Sequence, residues 1–168
     1  MKKAFILFAL LIILLGLVGC DPGWRNISEK ELLENTVKIE LYYYENTTPK
    51  LLNLNGKNTP IFDFSKAAFL ASLEESRFED VIKDISGQTF GVYHNVLNEP
   101  IGKTIILFQE NGNMLVLFSC VYTNGTKATR YYGECNLFAE NGVFLEHIGK
   151  IGSEYVDLLE SIYFGNSA

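Results

Sequence analysis

The chain has 168 residues, 14 lysines and arginines against 20 acids, a net charge of −6, and 48% apolar residues. That acidic balance offers no clustered cations for nucleic acid or for an anionic membrane surface, and the apolar content excludes a disordered polymer. The sequence holds no internal repeat, low-complexity tract, phosphate loop, dinucleotide fingerprint or G-x-S-x-G elbow.

The first element is Met1-Lys2-Lys3 followed by sixteen apolar residues, Ala4 to Gly19, and then Cys20. A short cationic start, an apolar stretch and small residues ahead of a processing point read as an export signal. The run also lies near the length of a membrane span. Both readings give one topology, because Lys2 and Lys3 hold the N-terminus in the cytoplasm and place the residues beyond the run on the outer face. Leu17-Val18-Gly19-Cys20 resembles the lipobox of bacterial lipoproteins. The resemblance implies cleavage before Cys20, a diacylglycerol on its thiol, frequent acylation of the new amino group, and stable anchoring by two or three chains. Asp21 resembles the inner-membrane retention signal of Gram-negative lipoproteins and has no such meaning in a Gram-positive cell.

Removing residues 1–19 leaves 149 residues and, with Lys2 and Lys3 gone, a net charge of −8. That is the size of one domain with a core of its own. The expected division is a signal peptide over 1–19, a short tether over 20–27 and a single domain over 28–165. Asp21-Pro22-Gly23 is turn-prone, and Trp24 would pack on the core or dip into the membrane interface.

Ser28-Glu29-Lys30-Glu31 forms a capping box, with Ile27 and Leu32 placed as a hydrophobic staple, so a short helix starts there and ends near Asn35. From Val37 to Tyr44 the period changes to two. Val37, Ile39, Leu41 and Tyr43 share one face; Lys38, Glu40, Tyr42 and Tyr44 share the other. Leu51-Leu52-Asn53-Leu54 is a candidate partner strand. Residues from Phe64 onward, with Ala67, Ala68, Phe69, Leu70 and Leu73, read as the start of the main core helix. It continues past a break near Ser76 through Phe78, Val81, Ile82 and Ile85 to Gly87. Thr89 to Leu97 reads as a strand.

Asn111-Gly112, Asn124-Gly125 and Asn141-Gly142 punctuate runs rich in β-branched and aromatic residues. Asn-Gly in that setting signals a two-residue type I′ hairpin turn. The result is a four-stranded antiparallel meander from about Lys103 to Ile148. Two-residue turns would gather Ile105, Leu107, Met114, Val116, Phe118, Cys120, Tyr131, Cys135, Leu137, Phe144 and Ile148 on one face, against the helices. The other face keeps Ile106, Phe108, Leu115, Leu117 and Val121 on the first two strands. Arg130, Glu134, Asn136, Glu140 and His147 lie beside Tyr132 and Phe138 on the last two. The first two strands are therefore buried on both sides or meet a partner, and the last two are half wet. A final helix is capped by Ser153, with Tyr155, Leu158, Leu159 and Ile162 on one side and Gly165 at its end.

Few residues suggest chemistry. Cys120 and Cys135 are in a compartment that permits a disulfide. A tight Asn124-Gly125 turn sets Cys120 opposite Thr129, too far from Cys135, whereas a wider loop from Val121 to Glu134 would bring the two together. His147 points away from both cysteines, and His94 is the remaining histidine. There is no paired-cysteine or helical two-histidine metal pattern and no calcium loop, so no catalytic set, metal or cofactor is expected. Tyr42, Tyr44, Arg130 and Tyr132 are the candidate contact surface.

Ile39-Glu40-Leu41, Phe62-Asp63-Phe64-Ser65-Lys66, Pro100-Ile101-Gly102 and His147-Ile148-Gly149 resemble the order found in small uncharacterised lipoproteins of Gram-positive bacteria. That resemblance spans most of the mature domain and implies class, not activity. The expectation is an α+β domain, an antiparallel sheet with helices mainly on one face. It would be held to the cell membrane through lipid on Cys20, face outward, and bind a ligand or another envelope protein but no nucleic acid. The alternatives are an envelope hydrolase with a site around His94, Asp63 or a cysteine, and a lipoprotein protecting its own cell.

Overall fold

The computed structural model describes residues 23–45, 50–54, 57–61, 67–92, 100–124, 127–152 and 154–165. In chain order the elements are β1 (Gly23–Arg25), α1 (Glu29–Asn35), β2 (Thr36–Tyr44), β3 (Lys50–Leu54), β4 (Lys57–Ile61) and β5 (Ala67–Ser72). A 3-10 turn (Glu75–Arg77) leads into α2 (Phe78–Ser86), then β6 (Phe90–Val92), β7 (Pro100–Gln109), β8 (Met114–Asn124), β9 (Lys127–Phe138) and β10 (Phe144–Ile151). The last helix, α3 (Tyr155–Leu159), widens into a π turn (Glu160–Phe164); its expected cap, Ser153, lies outside the described residues. Eight strands form one antiparallel sheet in the order β1-β6-β10-β9-β8-β7-β2-β5, and β3 and β4 pair as a separate hairpin. The fold is α+β, and its centre is the meander β7 to β10.

The turns of that meander depart from the sequence expectation in one respect that moves many side chains. Around Asn111-Gly112, Gln109 N–H bonds to Asn113 O at 2.8 Å and Gly112 N–H to Gln109 O at 2.9 Å, with Gly112 at φ +84°. This is a three-residue loop closed by a left-handed glycine, not a two-residue type I′ turn. The pairs become Ile105 with Leu117 and Leu107 with Leu115. One added loop residue turns every side chain of β8 to the opposite face. Asn141-Gly142 repeats the device, with Ala139 N–H to Val143 O at 2.8 Å and Gly142 at φ +79°. β8 ends at Asn124 and β9 begins at Lys127, with a register shift after Cys120, so Cys120 lies opposite Tyr132 and not Thr129.

The helix-side core accordingly holds Ile39, Leu41, Ile105, Leu107, Leu115, Leu117 and Cys135 from the sheet. Leu32 of α1, Val81, Ile82 and Ile85 of α2, and Tyr155, Val156 and Leu159 of α3 complete it. These three helices cover the same face. On the opposite face Tyr44, Ile106, Met114, Val116, Phe118 and Phe138 form a second buried cluster. Along these residues β7 and β8 are thus buried on both sides within the single chain.

Each helix follows from local chemistry. Ser28 Oγ accepts the Glu31 N–H at 3.3 Å and starts α1, and Leu32 and Ile27 pack on the core. In α2 the apolar residues recur at helical spacing, while Glu79 and Lys83 pair one turn apart at 2.8 Å on the wet side. Residues Ala67–Ser72 are a strand and not the first half of that helix. Six residues make a marginal helix, whereas the edge of β2 presents backbone groups that need partners, and β5 supplies them from Glu40–Ser72 to Tyr44–Ala67. In α3 the buried residues are Tyr155, Val156 and Leu159, with Tyr163 in the π turn. Leu158 and Ile162, expected on the core side, are exposed.

Candidate functional site

Gly23–Arg25, expected within the tether, pairs with Val92–Phe90 as an edge strand of the sheet. Only Asp21 and Pro22 separate it from Cys20. Three residue steps reach at most about 11 Å. Residues 1–22 lie outside the described residues, and among those described no helix is long and apolar enough to cross a membrane.

Directly after β1 the chain borders a cleft of about 300 Å³ on the helix side of the sheet. Its floor is Ile27, Leu32, Leu115, Leu137 and Ile148. Its walls are Asn26 and Ser28 from the β1–α1 connection, Glu31 of α1, Gln109, Asn111 and Asn113 from the β7–β8 loop, and Arg25 and Glu146 from β1 and β10. The walls owe their positions to features the sequence does announce: the Ser28 cap and the Asn-Gly loop. Glu110 N–H bonds to Asn35 O at 2.7 Å, which ties that loop to the end of α1. Asn111 Oδ1 accepts the Asn113 N–H at 2.9 Å and stiffens it. Arg25 and Glu146 form an ion pair across the far wall, both about half exposed. Within the sequence Asn111 reads only as turn chemistry, because nothing local says that the loop folds against α1.

A second polar group sits under the opposite face. Glu134 and Asn136 of β9 are buried, and Asn136 Nδ2 donates to Glu134 Oε2 at 3.2 Å. The Asn136 oxygen is then left to accept from His147 Nδ1, 2.7 Å away. That arrangement sets the proton on Nδ1 and leaves Nε2 as a buried lone pair with no hydrogen-bond partner among the described residues. Burial chiefly holds the imidazole below its ordinary pKa, with Glu134 pulling the other way and Lys150 and Arg25 adding to the depression. These strands were expected to be half wet. β9 is dry there because its polar side chains satisfy one another.

Cys135 is a free, fully buried thiol, and burial raises its pKa well above the ordinary value. It stands opposite Leu117 on the helix side, three positions from Cys120 along β8, about 10 Å at strand rise. The Cys120–Cys135 disulfide, which the sequence leaves open, therefore does not form in this fold. His147 bonds on the other side of the sheet, so the two do not make a nucleophile and base. His94 and Asp63 lie outside the described residues.

Of the four residues of the candidate contact surface, Tyr42 and Tyr44 have described side chains. Tyr44 is core, at 2% exposure. Tyr42 is half-buried; its hydroxyl donates to Glu40 Oε2 at 2.5 Å, and its ring meets Phe69 edge-on at 5.8 Å. Burial first, then that hydrogen bond, raises its pKa. Arg130 and Tyr132 occupy β9 opposite Val121 and Cys120, with side chains outside the described part. Among the described residues no three His, Cys, Asp or Glu side chains gather as a metal site. Comparison with known proteins finds no matching family model, no matching curated protein and no matching solved structure.

Proposed function

We propose that this protein is a lipid-anchored, outward-facing binding module of the cell envelope, and that the cleft beside β1 is its binding site. The observation that carries the reading is Cys20 directly after Leu17-Val18-Gly19 and an apolar run of sixteen residues. Two residues separate Cys20 from the start of the sheet, so the domain would be held against the membrane and the cleft kept close to it. A concave site with an apolar floor and convergent polar walls is the ordinary form of a small-ligand site. A hydrolase built on Cys135 is disfavoured because a dry, protonated thiol is a poor nucleophile.

The test has two parts. Mass spectrometry of the N-terminal peptide from membranes should find Cys20 as the first residue, carrying diacylglycerol; an uncut or unmodified Cys20 would overturn the anchored reading. Cross-linking on intact cells, against a control lipoprotein, should then enrich one envelope component, and a variant with the cleft walls replaced, Gln109→Ala with Asn113→Ala, should lose it.

A further inference from the structure

We infer that the cleft takes a neutral, hydroxyl- and amide-rich ligand, a saccharide or the sugar headgroup of a glycolipid, an assignment that rests on the binding-module reading above. Asn26, Gln109, Asn111 and Asn113 supply four amides to one cleft. An amide offers two donors and an acceptor side by side, and a sugar hydroxyl or acetamido group asks for both at once. The side chains of Asn26, Gln109 and Asn113 make no hydrogen bond to another described residue, so their capacity is free for a ligand.

Charge selects the same class. Among the described wall residues the one cation, Arg25, is paired with Glu146, which leaves an anionic ligand no unpartnered positive group there. A cationic ligand would meet only Glu31, on an exposed stretch of α1 where a single carboxylate is screened. The apolar floor suits the C–H face of a sugar ring, and about 300 Å³ is at the small end for ligand sites, room for one or two rings and not for a chain. Position leaves two sources within reach. Arg25 is five residues from Cys20, within about 18 Å of it along an extended chain, so an anchored domain meets membrane-borne sugars as well as soluble ones.

The experiment uses the mature lipidated protein in phosphatidylcholine nanodiscs, with saturation-transfer NMR on the two-ring sugar N,N′-diacetylchitobiose as the soluble neutral probe. The expected result is transfer to its ring and acetamido protons, with affinity falling at least tenfold in Gln109→Ala/Asn113→Ala and, independently, in Asn26→Ala. A second set of nanodiscs doped with diglucosyl diacylglycerol distinguishes the sources: displacement of the soluble probe supports a lipid-borne sugar, and no displacement supports a free one. No transfer at about 10 mM, equal transfer in both variants, or tighter binding of glucose 6-phosphate or glucosamine than of the neutral probe overturns the assignment. Tighter binding of a charged sugar at the same walls would leave the binding-module reading standing. Absence of lipid on Cys20 would remove that reading whatever the cleft binds.

Discussion

His147 is the residue whose surroundings make the sharpest statement about pH. Its folded pKa is held below the ordinary value of about 6.5, chiefly by burial. Between the lowered folded pKa and about 6.5 the unfolded chain binds more protons, so stability rises with pH across that window and is lost as pH falls through it. The urea midpoint should therefore drop more between pH 7.5 and 5.5 in the wild type than in His147→Asn, which keeps a donor toward Asn136. Equal drops would assign the titration to another group. Asp84 works differently, as a fastener: Tyr163 Oη donates to its carboxylate at 2.5 Å and Tyr155 Oη to its carbonyl at 2.8 Å. Arg77 Nη1 and Nη2 then bond to the Tyr163 and Ile162 carbonyls at 2.6 and 3.1 Å, satisfying the end of the π turn. Burial foremost, with Asp84 behind it, pushes the Tyr163 hydroxyl up to about 12.

At the scale of elements, two glycines show how turns and close approaches set the sheet. Gly112 holds φ +84°, and a Cβ there would meet only the movable Glu140 side chain. Gly112→Ala should cost about 1 kcal/mol, from backbone strain alone. At Gly149 a Cβ would lie 2.7 Å from Phe90 Cβ and 3.0 Å from Gly91 O, where β10 crosses β6. Neither neighbour is a flexible tip, so Gly149→Ala should cost more, on the order of 2 kcal/mol or above. Urea unfolding of the two variants checks the order; a smaller loss at Gly149 would mean that β6 can shift aside. The elements also show where a one-dimensional reading stops. Ala67–Ser72 has helical spacing and no charge, and only the open edge of β2 makes it a strand.

For the whole molecule, the three helices on one face and the second cluster on the other leave the β1 end of the sheet as the part nearest the proposed anchor. If the two residues between Cys20 and Gly23 hold the domain down, lengthening them should release it. A twenty-residue Gly/Ser insert after Pro22 adds about 25 Å of root-mean-square reach. Labelling of Arg25 and its neighbours by a photoreactive lipid should then fall several-fold, with the unfolding midpoint unchanged. Undiminished labelling would mean that the domain surface, and not the tether, holds it to the bilayer. Lys103 and Glu160 pair at 2.6 Å, with Glu160 buried, and join β7 to the C-terminal turn at the same scale.

Local chemistry was enough for the class, the meander, the Ser28-capped helix, β2 and the core stripe of α2. Each rests on contacts between residues near in sequence: a cap, a two-residue alternation, a 3.6-residue stripe, an Asn-Gly turn. It also carried the proposal for Cys20, which the fold does not touch. Properties that depend on pairing across distance came only with the assembled chain. A single extra loop residue moved β8 to its other face, and the β8–β9 register set Cys135 opposite Leu117, three positions from Cys120. Burial by the rest of the chain took Tyr44 out of any contact surface and dried Glu134 and Asn136. The cleft exists because the β7–β8 loop, α1 and the end of β1 meet, and no short stretch of sequence contains that meeting.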